Sequence, residues 1–369
     1  MKKVLLVGTL ILALLLGACA PAAPAEEPVA VEEEPVAVEE EAAVEEEAPM
    51  VMAEDIKIGY IVKTLGNTFW QTYEAGARAA AEDLGVQIDV RDVPTEADIK
   101  GQLDVALAMV NQDYDAIVAA SITNTNLIPA IAEANAKDVP WIVVSEDQDQ
   151  GVLDQNNAYV TAKCRLNFYD EGVIIGEYIA EQLNGEGQVA IVEGMAGTSA
   201  ANDRNQGVKD VFANFPGLEI VASQPGDWQR ELARDVVGAM LQANPEIDAI
   251  IANNDTMALG AAVAVEQAGK KGEILVTGDD GTPEAYEAIK NGDLAATVDG
   301  VAWQIAYYSV HAAVKAVVDG VKTLPNYDLK PNLVTIDTVE EVMKTMPKPP
   351  ANMFEINKNI YLPIAGIKE

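Results

Sequence analysis

Two pairs of carboxylates follow predicted strands in this chain, Glu146 with Asp147 and Asp279 with Asp280. Paired carboxylates can form a glycosidase site, in which one is the acid and the other the base or nucleophile. Other catalytic groups are scarce, because His311 is the only histidine and Cys164 is the only cysteine after residue 19. Nucleophilic triads and thiolate zinc clusters therefore lack their components, and we expect no metal and no cofactor.

Polar and aromatic residues gather in four stretches, each directly after a short apolar run. They are Asn67-Thr68-Phe69-Trp70 and residues 194–207, 253–260 and 278–284. Aromatic rings pack on the C–H faces of a sugar, and carboxylate, amide and guanidinium groups pair with its hydroxyls. The residue types predict a sugar site and not an enzyme on dinucleotides or nucleotides, because no Gly-x-Gly-x-x-Gly and no Gly-Lys-Ser/Thr motif accompanies them.

These stretches must be positioned by alternating strands and helices. Strands are predicted at residues 56–62, 86–90, 116–120, 141–144, 189–192, 219–222, 249–252 and 274–277, with helices between them. Strands that are apolar almost throughout indicate parallel sheets covered on both faces. We expect an α/β protein with two doubly wound lobes, whose ligand binds beyond the carboxyl ends of the strands.

The first residues have the pattern of an export signal. Lys2 and Lys3 precede an apolar run that ends in Leu16-Gly17-Ala18-Cys19, which predicts a lipoprotein signal peptide over 1–19 with a lipidated Cys19. Residues 20–54 are rich in Glu, Pro, Ala and Val and predict a disordered acidic tether. We expect a monomer on the extracytoplasmic face of the cell membrane, held there by the lipid.

The charge of the chain excludes one class of partner. Residues 1–53 hold 11 Glu and two Lys, a net of −9, which leaves −26 of the total −35 for the folded part. Such a surface repels nucleic acid, so we expect no nucleic-acid partner.

Over residues 55–336, the four stretches resemble the ribose-binding-protein branch of the periplasmic binding proteins, the type I sugar-binding fold. Repressors with this fold begin with a helix-turn-helix, whereas a signal peptide stands here. The resemblance implies a lipid-anchored solute-binding protein that delivers a monosaccharide or polyol to the permease of an ABC transporter. It implies ligand contacts from Asn67, Phe69, Trp70, Arg204, Trp228, Asn254 and Asp280.

Two departures from the ribose pattern make ribose itself doubtful. Ser145 and Glu146 stand where that branch has an Asp-Arg pair, and Gly300 stands where it has a glutamine. We expect Ser145 and Glu146 to contact the ligand, which could be another monosaccharide, a polyol, a cyclitol or an amino sugar. Alanine at Arg204 is expected to abolish binding and leave the fold intact.

The resemblance also implies the division of the chain. We expect residues 55–165 plus 300–332 in an N-terminal lobe and residues 166–299 plus 333–369 in a C-terminal lobe and tail. Crossings near residues 163–166, 298–300 and 331–334 would form a three-strand hinge. Two other functions stay open: a sensory protein that presents its ligand to a chemoreceptor or sensor kinase, and a surface enzyme acting on carbohydrate.

Overall fold

A computed structural model of the protein describes residues 53–345. The predicted signal peptide with Cys19, most of the predicted tether and the tail after residue 345 lie outside the described residues. Ala53 and Glu54 were assigned to the tether, but they lie in a short 3-10 helix, Ala53–Asp55, that leads into the first strand. Within residues 53–345, no helix is long and apolar enough to cross a membrane.

The first lobe is built on a six-stranded sheet in which every pair of neighbours is parallel, in the order β11-β5-β4-β3-β1-β2. Its strands are β1 Lys57–Ile61, β2 Gln87–Arg91, β3 Ala116–Ala120, β4 Trp141–Val144, β5 Ala162–Arg165 and β11 Tyr327–Asp328. Its helices are α1 Thr68–Leu84, α2 Ile99–Val110, α3 Ile128–Ala136, α4 Gln150–Gln155 and α10 Ala302–Asp319. β3 and β4 are buried at every residue, as sheets covered on both faces require.

The second lobe repeats this arrangement in the order β12-β10-β9-β8-β6-β7, and only β12 is antiparallel to its neighbour. Its strands are β6 Glu186–Glu193, β7 Gly217–Pro225, β8 Ile247–Ala252, β9 Leu275–Asp279, β10 Ala296–Asp299 and β12 Asn332–Thr335. Its helices are α5 Phe168–Gln182, α6 Ser199–Phe212, α7 Arg230–Ala243, α8 Asp255–Gln267, α9 Pro283–Lys290 and α11 Val339–Thr345. Two doubly wound lobes are therefore confirmed.

The chain passes between the lobes three times, after β5, after β10 and after β11. The second passage contains Val301, whose φ of 44° is unusual for a β-branched residue and is held by a hydrogen bond from its N–H to Asp299 Oδ1. β12 begins at Asn332 and pairs with β10, so this residue belongs to the second sheet, one position before the boundary expected from sequence.

Helix α5 was not predicted, and its glycines explain why. Gly172 and Gly176 lie inside it and lower its intrinsic helix propensity. They are needed for packing, since a Cβ on Gly172 would lie 2.1 Å from the backbone oxygen of Arg204 in α6. The close approach of α5 and α6 thus sets the position of Arg204.

Cys164 and His311 have the packing roles expected of them. Cys164 is fully buried in β5, and burial raises the pKa of its thiol above the ordinary value. His311 lies against the ring of Tyr307 at 4.8 Å, and burial lowers its pKa to about 4.

We predict that Gly172→Ala destabilises the protein by about 1–3 kcal/mol, because the methyl group forces α5 and α6 apart. The matched control is Gly238→Ala in α7, where nothing lies within 4 Å of the added Cβ. This control should be neutral or stabilise the helix by up to about 1 kcal/mol. Urea denaturation measures both, and equal effects of the two substitutions would contradict the packing account.

Candidate functional site

The carboxyl ends of strands from both lobes meet around one cavity. Its lining comprises Lys63, Asn67, Phe69, Trp70, Glu96 and Ser145 from the first lobe, and Phe168, Ala200, Arg204, Trp228, Asn254 and Asp280 from the second. Eight of the nine residues predicted to contact ligand are in this lining, and Glu146 is not. The cavity enclosed by this lining is small, with a volume of about 40 Å³.

An aromatic wall at the start of α1 forms one side of the cavity. The rings of Phe69 and Trp70 meet edge to face at 4.9 Å, and Tyr73 packs behind both. Asn67 caps the helix by accepting the N–H of Phe69. The capping turn therefore presents both aromatic side chains at the end of β1.

Glu96 holds this wall in place and was missed from sequence. Its Oε1 accepts hydrogen bonds from Asn67 Nδ2 and from the indole N–H of Trp70, each at 3.0 Å. Its position five residues after β2 ends, at the same edge of the sheet as β1 and β3, is the signal that could have identified it.

Arg204 forms the other side of the cavity and is enclosed by acceptors. Its Nε donates to Glu171 Oε2 at 2.8 Å and its Nη1 to the backbone oxygen of Asn253 at 2.6 Å. Its Nη2 lies 2.9 Å from Asp279 Oδ1 and 3.9 Å from Asp280 Oδ1. Each guanidinium nitrogen therefore faces a protein acceptor before any ligand binds, a role beyond the ligand contact that was predicted.

The carboxylates around Arg204 outnumber it. Burial raises the pKa of Glu171, Asp279 and Asp280 above their ordinary values, and the charge of Arg204 opposes that rise. Pairing with Arg204 is thus what offsets the cost of burying these carboxylates together.

Glu171 was not predicted, and it lies beside one departure from the ribose pattern. A Cβ on Gly300 would lie 3.4 Å from Glu171 Oε1 and 3.3 Å from Leu166 Cδ1. A side chain at residue 300 would therefore contact the carboxyl group that pairs with Arg204.

Asn254 and Asp255 have different roles at the start of α8. Asn254, and not Asp255, is the N-cap, and its Oδ1 accepts the N–H of Met257. Asp255 is fully buried and accepts from Thr282 N–H, Thr282 Oγ1 and Thr297 Oγ1. It therefore ties the ends of β9 and β10 to α8, whereas Asn254 lines the cavity.

Three lining residues have left-handed backbones, Ser145 with φ 66°, Trp228 with φ 63° and Asp280 with φ 125°. Such conformations are costly outside glycine and concentrate at ligand sites. Trp228 also requires Gly194, because a Cβ there would lie 1.9 Å from the indole ring. Indole Nε1 of Trp228 and Oδ2 of Asp280 are buried and make no hydrogen bond in the described structure, so a ligand hydroxyl can satisfy each.

Lys63 and Phe168 complete the site and were not singled out from sequence. Lys63 Nζ lies 5.3 Å from the ring centroid of Trp70, and the guanidinium carbon of Arg204 lies 5.2 Å from the ring centroid of Phe168. Each cation therefore stacks on an aromatic ring at the cavity wall. Lys63 lies two residues after the end of β1, and Phe168 directly after the first passage between lobes, and these positions were the available signals.

We predict that Arg204→Ala unfolds the protein more readily, which corrects the expectation of an intact fold. Removing the cation leaves Glu171, Asp279 and Asp280 buried without a partner, at a cost of about 3–5 kcal/mol. The control is Arg230→Ala, whose bidentate pair with Glu284 is exposed and is worth at most about 1 kcal/mol. Urea denaturation compares the two, and equal losses would contradict the buried-cluster account.

A pH dependence of stability follows from Asp255, because burial raises its pKa to about 7. The unfolded chain binds this proton only below about pH 4. Between these values the folded state binds more protons, so its stability falls as pH rises. Relative to Asp255→Asn, the wild-type free energy of unfolding should fall by up to about 1.4 kcal/mol per pH unit from about pH 5 to 7. Parallel urea-denaturation profiles of the two proteins would contradict this prediction.

Comparison with known proteins agrees with this geometry. The family model described as "Periplasmic binding protein domain" matches residues 58–320. The D-allose-binding periplasmic protein of Escherichia coli is 37% identical over 239 residues, 64% of this chain and 77% of that protein.

Solved structures of two solute-binding proteins are similar as well. One, from Actinobacillus succinogenes with bound D-allose, has a TM-score of 0.75 at 28% identity and covers 78% of this chain and 99% of its own. The other, from Bacillus halodurans with bound myo-inositol, has a TM-score of 0.72 at 29% identity and covers 79% and 98%. The chain belongs to the periplasmic binding protein family, with the ribose-binding-protein-like form of its fold.

Proposed function

We propose that this protein captures a neutral monosaccharide or cyclic polyol between its lobes and delivers it to the permease of an ABC importer. The observation that carries this proposal is the cavity itself. Aromatic rings from both lobes and hydrogen-bonding groups of carboxylate, amide and guanidinium side chains line it together. An aromatic wall with a polar rim suits a ring that has C–H faces and hydroxyl edges.

The charge of the site supports a neutral ligand. Lys63 and Arg204 are its cations, and Glu146 and Glu171 are each paired with one of them. Glu96, Asp279 and Asp280 add further acid groups. Anionic sugars such as uronic acids and sugar phosphates would be repelled by this excess of negative charge, so we expect the site to reject them.

The size of the site and the ligands of similar proteins narrow the class of ligand that we propose. A small cavity lined by both lobes favours one ring over a chain of sugars. Similar structures hold D-allose and myo-inositol, each a six-membered ring with hydroxyls around it. Because Ser145, Glu146 and Gly300 depart from the ribose pattern, we favour a hexose or cyclitol over ribose.

A protein that acts by closing its two lobes around a ligand needs no catalytic step. A ligand that contacts both lobes stabilises the closed state by its higher affinity for that state, and the closed form is what a permease would recognise. The carboxylates that suggested a glycosidase have other partners here: Glu146 binds Lys63, and Asp279 binds Arg204. We therefore propose a binding protein and not a carbohydrate-active enzyme.

We further propose that the protein is a monomer anchored outside the cytoplasmic membrane by a lipid on Cys19. The basic, apolar and small residues before this cysteine support the anchor, and the acidic residues 20–52 would serve as a tether to the two lobes. The tether would keep the binding protein close to its permease. The domain boundaries given above belong to the same proposal, with Ala53 and Glu54 counted with the first lobe and Asn332 with the second.

A ligand screen tests the proposed function. Hexoses, pentoses and cyclitols should be compared by thermal shift and by tryptophan fluorescence, because Trp70 and Trp228 line the cavity. We expect a neutral hexose or cyclitol to raise the melting temperature and change the emission, and the matched uronic acid to do neither. The proposal fails if only a different class of small molecule produces these shifts.

Glu96→Gln should weaken ligand binding about tenfold, because an amide is a poorer acceptor for both Asn67 and Trp70 than a carboxylate. The control is Glu74→Gln in α1, whose side chain pairs with Arg78 on the helix surface. Calorimetric titration with the ligand found in the screen measures both, and equal affinities of the two variants would contradict the role of Glu96.

A further inference from the structure

Glu146 joins the two lobes through a single carboxylate. It follows β4 in the first lobe, is fully buried and does not line the cavity. Its Oε1 lies 3.4 Å from Nζ of Lys63 in the same lobe. Its Oε2 accepts the backbone N–H of Ser199 in the second lobe at 2.9 Å. One carboxylate oxygen is therefore used on each side of the cleft.

The partner in the second lobe is suited to a negative charge. Ser199 is the first residue of α6, where backbone N–H groups have no acceptor within the helix. The N-cap Thr198 already uses its hydroxyl on Ala201 N–H. A carboxylate at this end also interacts favourably with the helix dipole.

Within the described residues, one other side-chain hydrogen bond crosses the cleft, and it is weak. Thr256 Oγ1 lies 3.5 Å from Asn67 Oδ1, which also accepts from Phe69 N–H at 3.0 Å. Both of its groups are neutral, whereas the contact between Glu146 and Ser199 is charge-assisted and short. Direct polar contact between the lobes across the cleft therefore depends mainly on Glu146.

We infer that Glu146 is a latch between the lobes, which stabilises the closed state from within the protein and does not contact the ligand. Opening the cleft separates Oε2 from Ser199 N–H, whereas the pair with Lys63 remains in the first lobe. The latch explains why a carboxylate can replace the ligand-binding residue that the ribose pattern has at this position. It deepens the proposed function and rests on it for the ligand-bound state.

The test measures closure without ligand. Spin labels on the exposed positions Gln112 and Glu266, one in each lobe, report the distance between lobes by electron–electron double resonance. Glu146→Gln leaves one acceptor oxygen for two donors, so either Ser199 or Lys63 loses its partner. We expect the ratio of open to closed molecules to rise about tenfold.

The matched control is Asp149→Asn, which removes an exposed carboxylate from the same loop that bonds only within the first lobe, to Val152 N–H. It should leave the distance distribution unchanged. The inference is overturned if Glu146→Gln leaves the distribution of the ligand-free protein unchanged, or if Asp149→Asn shifts it equally. Because no ligand is present, this failure is distinct from a failure of the ligand screen.

Discussion

The pairing of one buried guanidinium with several buried carboxylates is the constraint on which this site depends. Arg204 faces Glu171, Asp279 and Asp280, which come from α5 and from the end of β9, so it fixes three parts of the second lobe at the cleft. Buried charges are costly unless they are paired, and a cluster of this kind is therefore well defined in position. The same cluster supplies the polar edge of the cavity. Stability of the lobe and shape of the site thus have one physical origin.

The two lobes contribute unequally to recognition. The first lobe supplies an aromatic wall that Asn67 and Glu96 hold in place, and it needs few charges to do so. The second lobe supplies Asp280, Arg204 and Trp228, with strained backbone at Trp228 and Asp280. A ring with apolar faces and polar edges satisfies both halves only when the cleft closes. Because the ligand contacts both halves only in the closed cleft, closure is the step that signals a bound ligand.

Much of this arrangement could be predicted from sequence, because buried parallel strands are recognisable as apolar runs. The residues that follow these strands lie at the same edge of the sheet. That rule located the stretches, and the resemblance to ribose-binding proteins singled out Asn67, Trp70, Arg204 and Asp280 within them. It could not locate contacts that depend on pairing between distant elements. Glu96, Lys63, Phe168 and Glu171 became visible only when the neighbours of each strand and helix were known. Helix α5 was missed because its glycines lower helix propensity. The same glycines allow α6 to pack closely against α5.

A crystal structure of the protein with the ligand identified by screening tests the central claim most directly. The account predicts one neutral six-membered ring in the cleft, between the aromatic wall of Phe69 and Trp70 and the indole of Trp228. A hydroxyl should lie within hydrogen-bonding distance of Asp280 Oδ2, which has no hydrogen-bond partner among residues 53–345. A ligand bound outside the cleft, or an anionic ligand held by Arg204 after the carboxylates have moved away, would contradict it.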